Sequence, residues 1–477
     1  MAALDRFRRY RSRNGQSSDV ASPGLLERHL YRSDGAVTGD LPAEVVLPES
    51  EHAARRSVTD AVDAGRSIVP RGAGTGLSGG ASPFGDATVV SLMKLNRVLE
   101  VDVANRTAWV EPGVRNLDLS RQTQQFGLIF GPDPSSQSAC TLGGNIATNA
   151  GGPRCYAVGN TTSHILAARV VLGDGSTVDV GADYADPIGL DTRSVVVGSE
   201  GTLGLVVKAL VRLSPISDAV RTVLCAFSSI EDSGEATARI VRSGVNVTSL
   251  EMMDKMAIEI CERFTQGGLP VEADAMLLCE VEGTAETIEE EVEDLERVAR
   301  EAGAYLVQIA EDDAQAALWW RARKGAFGAV AQLAPNYDLH DGVVPRTKLV
   351  EALKAVQKIG KETETPIRLI AHAGDGNLHP LIPFDGSDPA EKERVHAVSE
   401  QIMEVCLALG GAVSGEHGIG VTKVHFMDRA FSAVDLVYQD HVRNAFDPLC
   451  VMNPGKVLPS PSSCAEKVDP TDTEMWV

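Results

Sequence analysis

Residues 70–81 read Pro70-Arg71-Gly72-Ala73-Gly74-Thr75-Gly76-Leu77-Ser78-Gly79-Gly80-Ala81, which places five glycines within nine positions. Glycine takes positive φ without a Cβ penalty, so a run this dense can turn successive amides inward into an anion-binding nest. With Arg71 available as counter-charge, the anion that fits is a pyrophosphate. The rest of the chain reads as a scaffold for that ligand.

Gly74-Thr75-Gly76-Leu77-Ser78-Gly79 also satisfies G-x-G-x-x-G, after the strand-like Ser67-Ile68-Val69. A Rossmann fingerprint opens directly into a helix and finds an acid about 20 positions on. Here Pro83 and Gly85 block a helix, and the strand predicted over 87–92 runs into Met93-Lys94-Leu95-Asn96 with no acid at its end. NAD is set aside on that ground.

At 477 residues the chain has room for two or three domains. Its formal charge of -22 argues against nucleic acid and anionic membrane surfaces, so an anionic substrate must rely on local arginines. The eight cysteines contain no C-x-x-C pair, which gives neither an iron-sulfur nor a zinc-ribbon pattern and points to a reduced, cytoplasmic chain. The N-terminus is basic through Arg6, Arg8, Arg9, Arg11 and Arg13, but no apolar region follows it. It is not read as a secretory signal, and no later segment approaches a membrane span.

In chain order, a tail with a short helix (1–35) precedes a strand at 42–47 and a helix capped by Ser50. Strands at 97–103 and 106–111 pair across Ala104-Asn105, and 165–180 is a hairpin turning at Gly173-Asp174-Gly175. The texture changes near Pro215. Beyond it, strands at 222–227, 246–252, 275–282 and 305–309 alternate with helices, one of which buries a stripe of Ile288, Val292, Leu295 and Val298. The domains are therefore placed at 36–215, 216–430 and a C-terminal helix and tail at 431–477.

Two further glycine-rich regions, 131–152 and 198–204, look like other walls of the pyrophosphate ligand's site, with Val206 and Val207 placed to cover a flat ring. A different chemistry sits in His372-Ala373-Gly374-Asp375-Gly376-Asn377-Leu378-His379. Asp-Gly is the signature of a two-residue hairpin turn, which would set His372 directly opposite His379 with Cβ atoms about 5 Å apart. Two imidazoles so placed can share a divalent metal. Glu416, on the glycine-flanked bend Ser414-Gly415-Glu416-His417-Gly418, could complete a two-histidine, one-carboxylate site, leaving His417 as a base. Arg323 and Arg346 stand beside apolar surface, where an arginine can grip a carboxylate with two parallel hydrogen bonds.

Together, residues 70–80, 131–152, 199–204, 372–379, 415–420 and Asn453-Pro454-Gly455-Lys456 resemble the FAD-linked 2-hydroxyacid dehydrogenases of the glycolate oxidase and D-lactate dehydrogenase type. The resemblance covers roughly 42–459. It implies an α+β fold: a two-part FAD-binding domain of the vanillyl-alcohol-oxidase type and an α+β cap on an antiparallel sheet. It implies non-covalent FAD held by Pro70, Arg71, Gly72, Ala73, Gly74, Thr75, Gly76, Ser78 and Gly79 at the pyrophosphate. Pro132, Thr141, Gly143, Gly144, Thr148, Asn149, Gly151, Glu200, Gly201, Val206 and Asn453 would line the remainder. It assigns a divalent metal (zinc, manganese or iron) to His372, His379 and Glu416, the general base to His417, and the substrate carboxylate to Arg323, with Arg346 and Asn377 as further contacts. Phe327 and Leu339 stand where the D-2-hydroxyglutarate branch carries a Thr and a Lys, which disfavours a long dicarboxylate. The implied partners are a small 2-hydroxy acid and an electron acceptor: an iron-sulfur subunit, quinone, cytochrome or electron-transfer flavoprotein. A homodimer, cytoplasmic and peripheral to a membrane only through that acceptor, is the expected setting. The alternatives are a D-2-hydroxyglutarate dehydrogenase, an alkyl-dihydroxyacetone-phosphate synthase and a non-catalytic flavoprotein subunit.

Overall fold

The computed structural model describes residues 20–184 and 189–459. The arginine-rich start and the Ser/Pro-rich end lie outside these. Three sheets of four or more strands organise the described residues, beside a two-stranded pairing of Leu128–Ile129 with Ser214–Pro215. In the first, Glu44–Pro48, Ala87–Ser91 and Ser67–Arg71 run parallel in that spatial order, with Val20–Ala21 antiparallel on the outer edge. The crossover between the two outer parallel strands is the helix Glu51–Asp63, started by the Ser50 hydroxyl accepting from Ala53 N. Every residue of the central Ala87–Ser91 strand is buried, as a parallel strand covered on both faces requires.

The second sheet is antiparallel, in the order Val98–Asp102, Thr107–Val110, Leu205–Arg212, Ile165–Val171, Thr177–Gly181. Both hairpins foreseen from the turn residues form.

The third sheet has eight strands, all antiparallel, built from Ala219–Phe227, Val247–Asp254, Ala275–Gly283, Leu306–Ile309, Asn336–Leu339, Gly342–Val343, Arg368–His372 and Asn377–Phe384. Helices cover both faces. Val223, Cys225 and Phe227 point toward the helices Ile230–Ser243, Ile288–Glu301, Leu349–Glu362 and Pro389–Ala408. Leu224 and Ala226, between them, point toward Lys255–Thr265, Asp313–Lys324 and Ala326–Val330. The expected stripe of Ile288, Val292, Leu295 and Val298 is buried. Strand Val247–Asp254 is buried throughout, and a single carboxylate, Glu251, interrupts its interior.

After the helix Ala433–Phe446 the chain returns to the first sheet. Met452 bridges Ile68, through Ile68 N to Val451 O (2.8 Å) and Asn453 N to Ile68 O (2.7 Å). Among the described residues six cysteines carry free thiols, whereas Cys450 is disulfide-bonded, a departure from the fully reduced chain expected from spacing alone. Among the described residues no helix is long and apolar enough to cross a membrane.

Candidate active site

The glycine-rich loop leaves Ser67–Arg71 and reaches Ala87 without entering a helix, and it forms one wall of a cavity of about 360 Å³. Pro70, Arg71, Gly72, Ala73, Gly74, Thr75, Gly76 and Ser78 stand in that wall, opposite Thr141, Gly143, Gly144 and Thr148, with Glu200, Gly201 and Val206 beside them. Gly74 has φ +74°, and a Cβ there would overlap the Arg71 guanidinium. Arg71 is buried beneath the loop and donates to the carbonyls of Ser33 (2.8 Å) and Ala81 (3.1 Å), so it braces the nest as well as charging it.

Five residues assigned to the cofactor stand outside the wall, each with another task. A Cβ on Gly79 would meet Val421, and Pro132 offers its carbonyl to Asn116. Asn149 ends a helix in the left-handed conformation and accepts from Thr162. Gly151 lies against Glu416 and Cys155, and the Asn453 amide ties the carbonyls of Gly80 and Glu200. The Glu200 carboxylate is likewise spent on backbone amides, of Ile419 and Gly420, and burial pushes it up to about 7.

Lys324, Phe327, Glu416 and His417 close the cavity from the other half of the molecule. Behind them lies the histidine cluster, in a register that differs from the expected one. His372 pairs with Asn377 and Ile370 with His379, around a four-residue connection in place of a two-residue turn. Neighbouring segments hold that connection open: Gly374 N donates to Leu250 O (3.2 Å) and Gly376 O accepts from Val344 N (3.0 Å). The displacement is two residues, and an even displacement keeps side chains on the same face. The two rings therefore still meet, diagonally, with centroids 4.9 Å apart.

Three imidazole Nε2 atoms surround one carboxylate oxygen: His379 at 3.2 Å, His372 at 3.3 Å and His417 at 3.7 Å from Glu416 Oε1. His372 Nδ1 is 2.7 Å from Glu251 Oε1, and His379 Nδ1 donates to His340 O at 2.9 Å. Partners on Nδ1 turn the Nε2 lone pairs toward Glu416, the tautomer a metal-binding imidazole needs. His379 Nε2 is buried without a hydrogen-bond partner. These residues fit a divalent cation.

Asp341 and His417 also bring donor atoms within 4.8 Å of those of His379 and Glu416. Asp341 is already committed, however. It accepts from Ser414 Oγ (2.6 Å), His417 N (2.9 Å), Lys423 Nζ (2.9 Å) and Asn377 Nδ2 (3.1 Å). Burial opposes the Asp341 charge, yet His417 and Lys423 hold the carboxylate far below its usual range. Burial likewise opposes the Glu416 charge, and His372 and His379 overcome it. Burial pulls the His417 ring down to about 4 despite Asp341, so it is neutral near pH 7. His372 is shifted upward: burial works against its charge, and Glu251 and Glu416 outweigh burial. A cation bound there would displace that proton.

The three residues assigned to substrate stand outside the cavity wall. Arg323 is buried behind His372 with Nη2 2.5 Å from Glu251 Oε2, and its Nε and Nη2 groups have no acceptor in hydrogen-bond geometry. Asn377 faces Asp341, and Arg346 is exposed over the Tyr156 ring. Lys324 reaches the wall, its Nζ 3.0 Å from Asp133 Oδ2. Glu251 and Asp341, which hold the cluster together, were not singled out in the sequence. Asp341 carried a faint signal in its place just before Gly342, and Glu251 in being the only acid inside an apolar strand.

A glycine-walled cavity between an α/β half and an antiparallel cap defines a flavin-binding oxidoreductase fold. Residues 42–181 match the FAD binding domain, and residues 216–457 match the family described as FAD linked oxidases, C-terminal domain. The chain belongs to that family of FAD-linked oxidases. It is 39% identical over 399 residues to glycolate oxidase subunit GlcD of Escherichia coli K12, covering 84% of this chain and 80% of that one. It is 31% identical over 399 residues to D-lactate dehydrogenase of Anaerostipes hadrus, covering 82% and 84%. Substrate-bound p-cresol methylhydroxylase shares the fold, with a TM-score of 0.77 at 15% identity over 92% of this chain and 93% of that one.

Proposed function

We propose that this chain oxidises a small 2-hydroxy acid, glycolate or D-lactate, to the 2-oxo acid, using non-covalent FAD and a divalent cation (zinc, manganese or iron) on His372, His379 and Glu416. The observation that carries this is the gathering of three imidazole Nε2 atoms around one Glu416 oxygen at the wall of a glycine-lined cavity. The names of the relatives, glycolate oxidase subunit and D-lactate dehydrogenase, support the substrate class. When bound, FAD supplies the acceptor for the hydrogen on C2, and the cation supplies Lewis acidity at the 2-hydroxyl.

The chain's own residues do the rest. His417, kept neutral by burial, takes the hydroxyl proton on Nε2. Asp341 fixes the bend by accepting from His417 N, which holds the ring at the cavity wall. Arg323, ion-paired to Glu251 through Nη2, turns its Nε, which has no acceptor, to the substrate carboxylate, and Asn377 offers its free Oδ1 to the substrate hydroxyl. Exposed Arg346 draws the anion in from solvent.

With this reading go the domain limits 36–215, 216–430 and 431–477 and a cytoplasmic homodimer. The chain would pass electrons to an iron-sulfur subunit, quinone, cytochrome or electron-transfer flavoprotein, and sit at the membrane only through that acceptor. Anaerobic absorbance at the flavin band tests the core of it, with D-lactate, L-lactate, glycolate and D-2-hydroxyglutarate added in turn, before and after chelator. Bleaching by D-lactate or glycolate that chelator abolishes is the expected result. A flavin that no acid bleaches overturns the activity, and a chain without flavin overturns the cofactor.

A further inference from the structure

Three loops meet behind the cavity wall. Glu200, held left-handed at φ +51°, sends its carboxylate to the bend that carries Glu416 and His417, where Oε1 accepts from Ile419 N (2.6 Å) and Oε2 from Gly420 N (2.8 Å). Ser78, from the glycine loop, donates its hydroxyl to Gly418 O (3.0 Å), and its carbonyl accepts from Val421 N (2.8 Å). The fit is tight: a Cβ on Gly418 would sit 2.7 Å from Glu200 Oε1, and one on Gly420 would overlap the Ser78 carbonyl. Asn453 ties the two cavity loops to each other through Gly80 O (2.9 Å) and Glu200 O (2.7 Å). At its other end the bend hangs from Asp341, through Glu416 N and His417 N. Glu416 and His417 are thus suspended between an anchor in the cap and two anchors in the cavity wall.

We infer that Glu200 and Ser78 are positioning residues that couple the flavin cavity to the histidine-carboxylate cluster. A ligand that orders the glycine loop also orders the bend bearing Glu416 and His417, and a cation that fixes Glu416 tightens the cavity in return. Such linkage is reciprocal by thermodynamic necessity. The inference rests on the cofactor and metal assignments proposed above.

The test uses holoenzyme whose flavin and metal contents have been measured. Release of FAD on dilution is followed by its fluorescence before chelator, after EDTA, and after Zn²⁺ is restored. Allosteric couplings typically amount to about 5–150-fold, so EDTA should speed release at least about 5-fold in the wild type, with Zn²⁺ reversing the effect. In Glu200→Gln the EDTA effect should shrink below about 2-fold, and Ser78→Ala, a gentler change, should move it the same way. A purely structural loss would speed release with and without Zn²⁺ alike and leave the ratio unchanged. That result overturns the coupling, as does wild-type release indifferent to EDTA in a chain that binds zinc. A chain that holds no flavin or no cation overturns the site assignments instead, and the coupling with them.

Discussion

Replacing Glu251 by Gln removes one buried charge and keeps the shape of the side chain. Glu251 is 1% exposed, on the strand directly opposite His372, with Oε1 2.7 Å from His372 Nδ1 and Oε2 2.5 Å from Arg323 Nη2, itself 2% exposed. The amide oxygen can still accept from His372, but the Arg323 guanidinium is left unpaired in the interior. Breaking a buried pair from one side costs about 3–5 kcal/mol. An amide also polarises the imidazole less than a carboxylate does, so affinity for the cation should fall about 10–100-fold, or about 1.4–2.7 kcal/mol. Urea unfolding followed by the fluorescence of Trp319 and Trp320, on the same helix as Arg323, reads the first effect. Zinc titration of chelator-treated protein reads the second. The double variant Glu251→Gln/Arg323→Gln should regain much of the stability and none of the affinity, because the first belongs to the ion pair and the second to His372. A single variant that loses less than about 1 kcal/mol, the worth of a surface pair, refutes the reasoning. So does a double variant whose affinity returns together with its stability.

Other outcomes follow from single residues. His417→Ala should retain FAD and slow flavin reduction by about 10²–10⁴-fold, the usual worth of a general base, and undiminished stopped-flow reduction removes that role. Gly418→Ala, at φ +86° with its new Cβ against Glu200, should lower activity and speed flavin release together, and a fully active variant shows that the bend tolerates movement. Asp254 caps the helix Lys255–Thr265 through Ala257 N, and burial raises its carboxyl from 3.8 to about 7, so between those values the folded chain holds the extra proton and stability falls as pH rises. Asn keeps the cap without the charge, so Asp254→Asn should exceed the parent by on the order of 4 kcal/mol at pH 8 and converge with it near pH 4, and a difference that ignores pH contradicts the assignment.

What the sequence disclosed follows from how local each signal is. The Ser50 cap, the 288–298 stripe and the hairpin of 165–180 each depend on residues within a turn or two of one another, and each is where it was read. The meeting of His372 and His379 survived an error in register because the error was even. Helix Leu349–Glu362 was not foreseen, and its start at Lys348 has no side-chain cap bond to announce it. Glu251 and Asp341 were missed for a different reason: they act on partners 121 and 76 positions away, His372 and His417 N. No periodicity carries such information, and only the pairing of Val247–Asp254 with Arg368–His372 brings Glu251 to its histidine. The glycine-rich walls were legible because glycine density is a chemical demand on the backbone. Which polar residues among them face the cavity and which tie the loops together was not: Glu200 does both, and Asn453 stands outside the wall and ties.

The cluster's charge balance narrows the substrate. Glu251 and Asp341 are buried carboxylates and Glu416 is a mostly buried one, and the buried cations that pair with the first two are Arg323 and Lys423, with the imidazoles neutral once ligated. Three negative charges stand against two positive ones. A divalent cation turns that deficit of one into an excess of one, and a monoanionic 2-hydroxy acid then brings the interior to neutrality, the condition under which buried charges are tolerable. A dicarboxylate would leave one negative charge over. On the cap side of the wall stand Phe327, edge-on to His379 with centroids 6.5 Å apart, and Lys324, already paired with Asp133. An unpaired carboxylate against that ring should cost about 3 kcal/mol or more, which corresponds to a kcat/KM for D-2-hydroxyglutarate at least about 100-fold below that for glycolate or D-lactate. Comparable constants for the dicarboxylate would mean that Lys324 leaves Asp133 to receive it, and Lys324→Met would then abolish the dicarboxylate rate while sparing the monoanions.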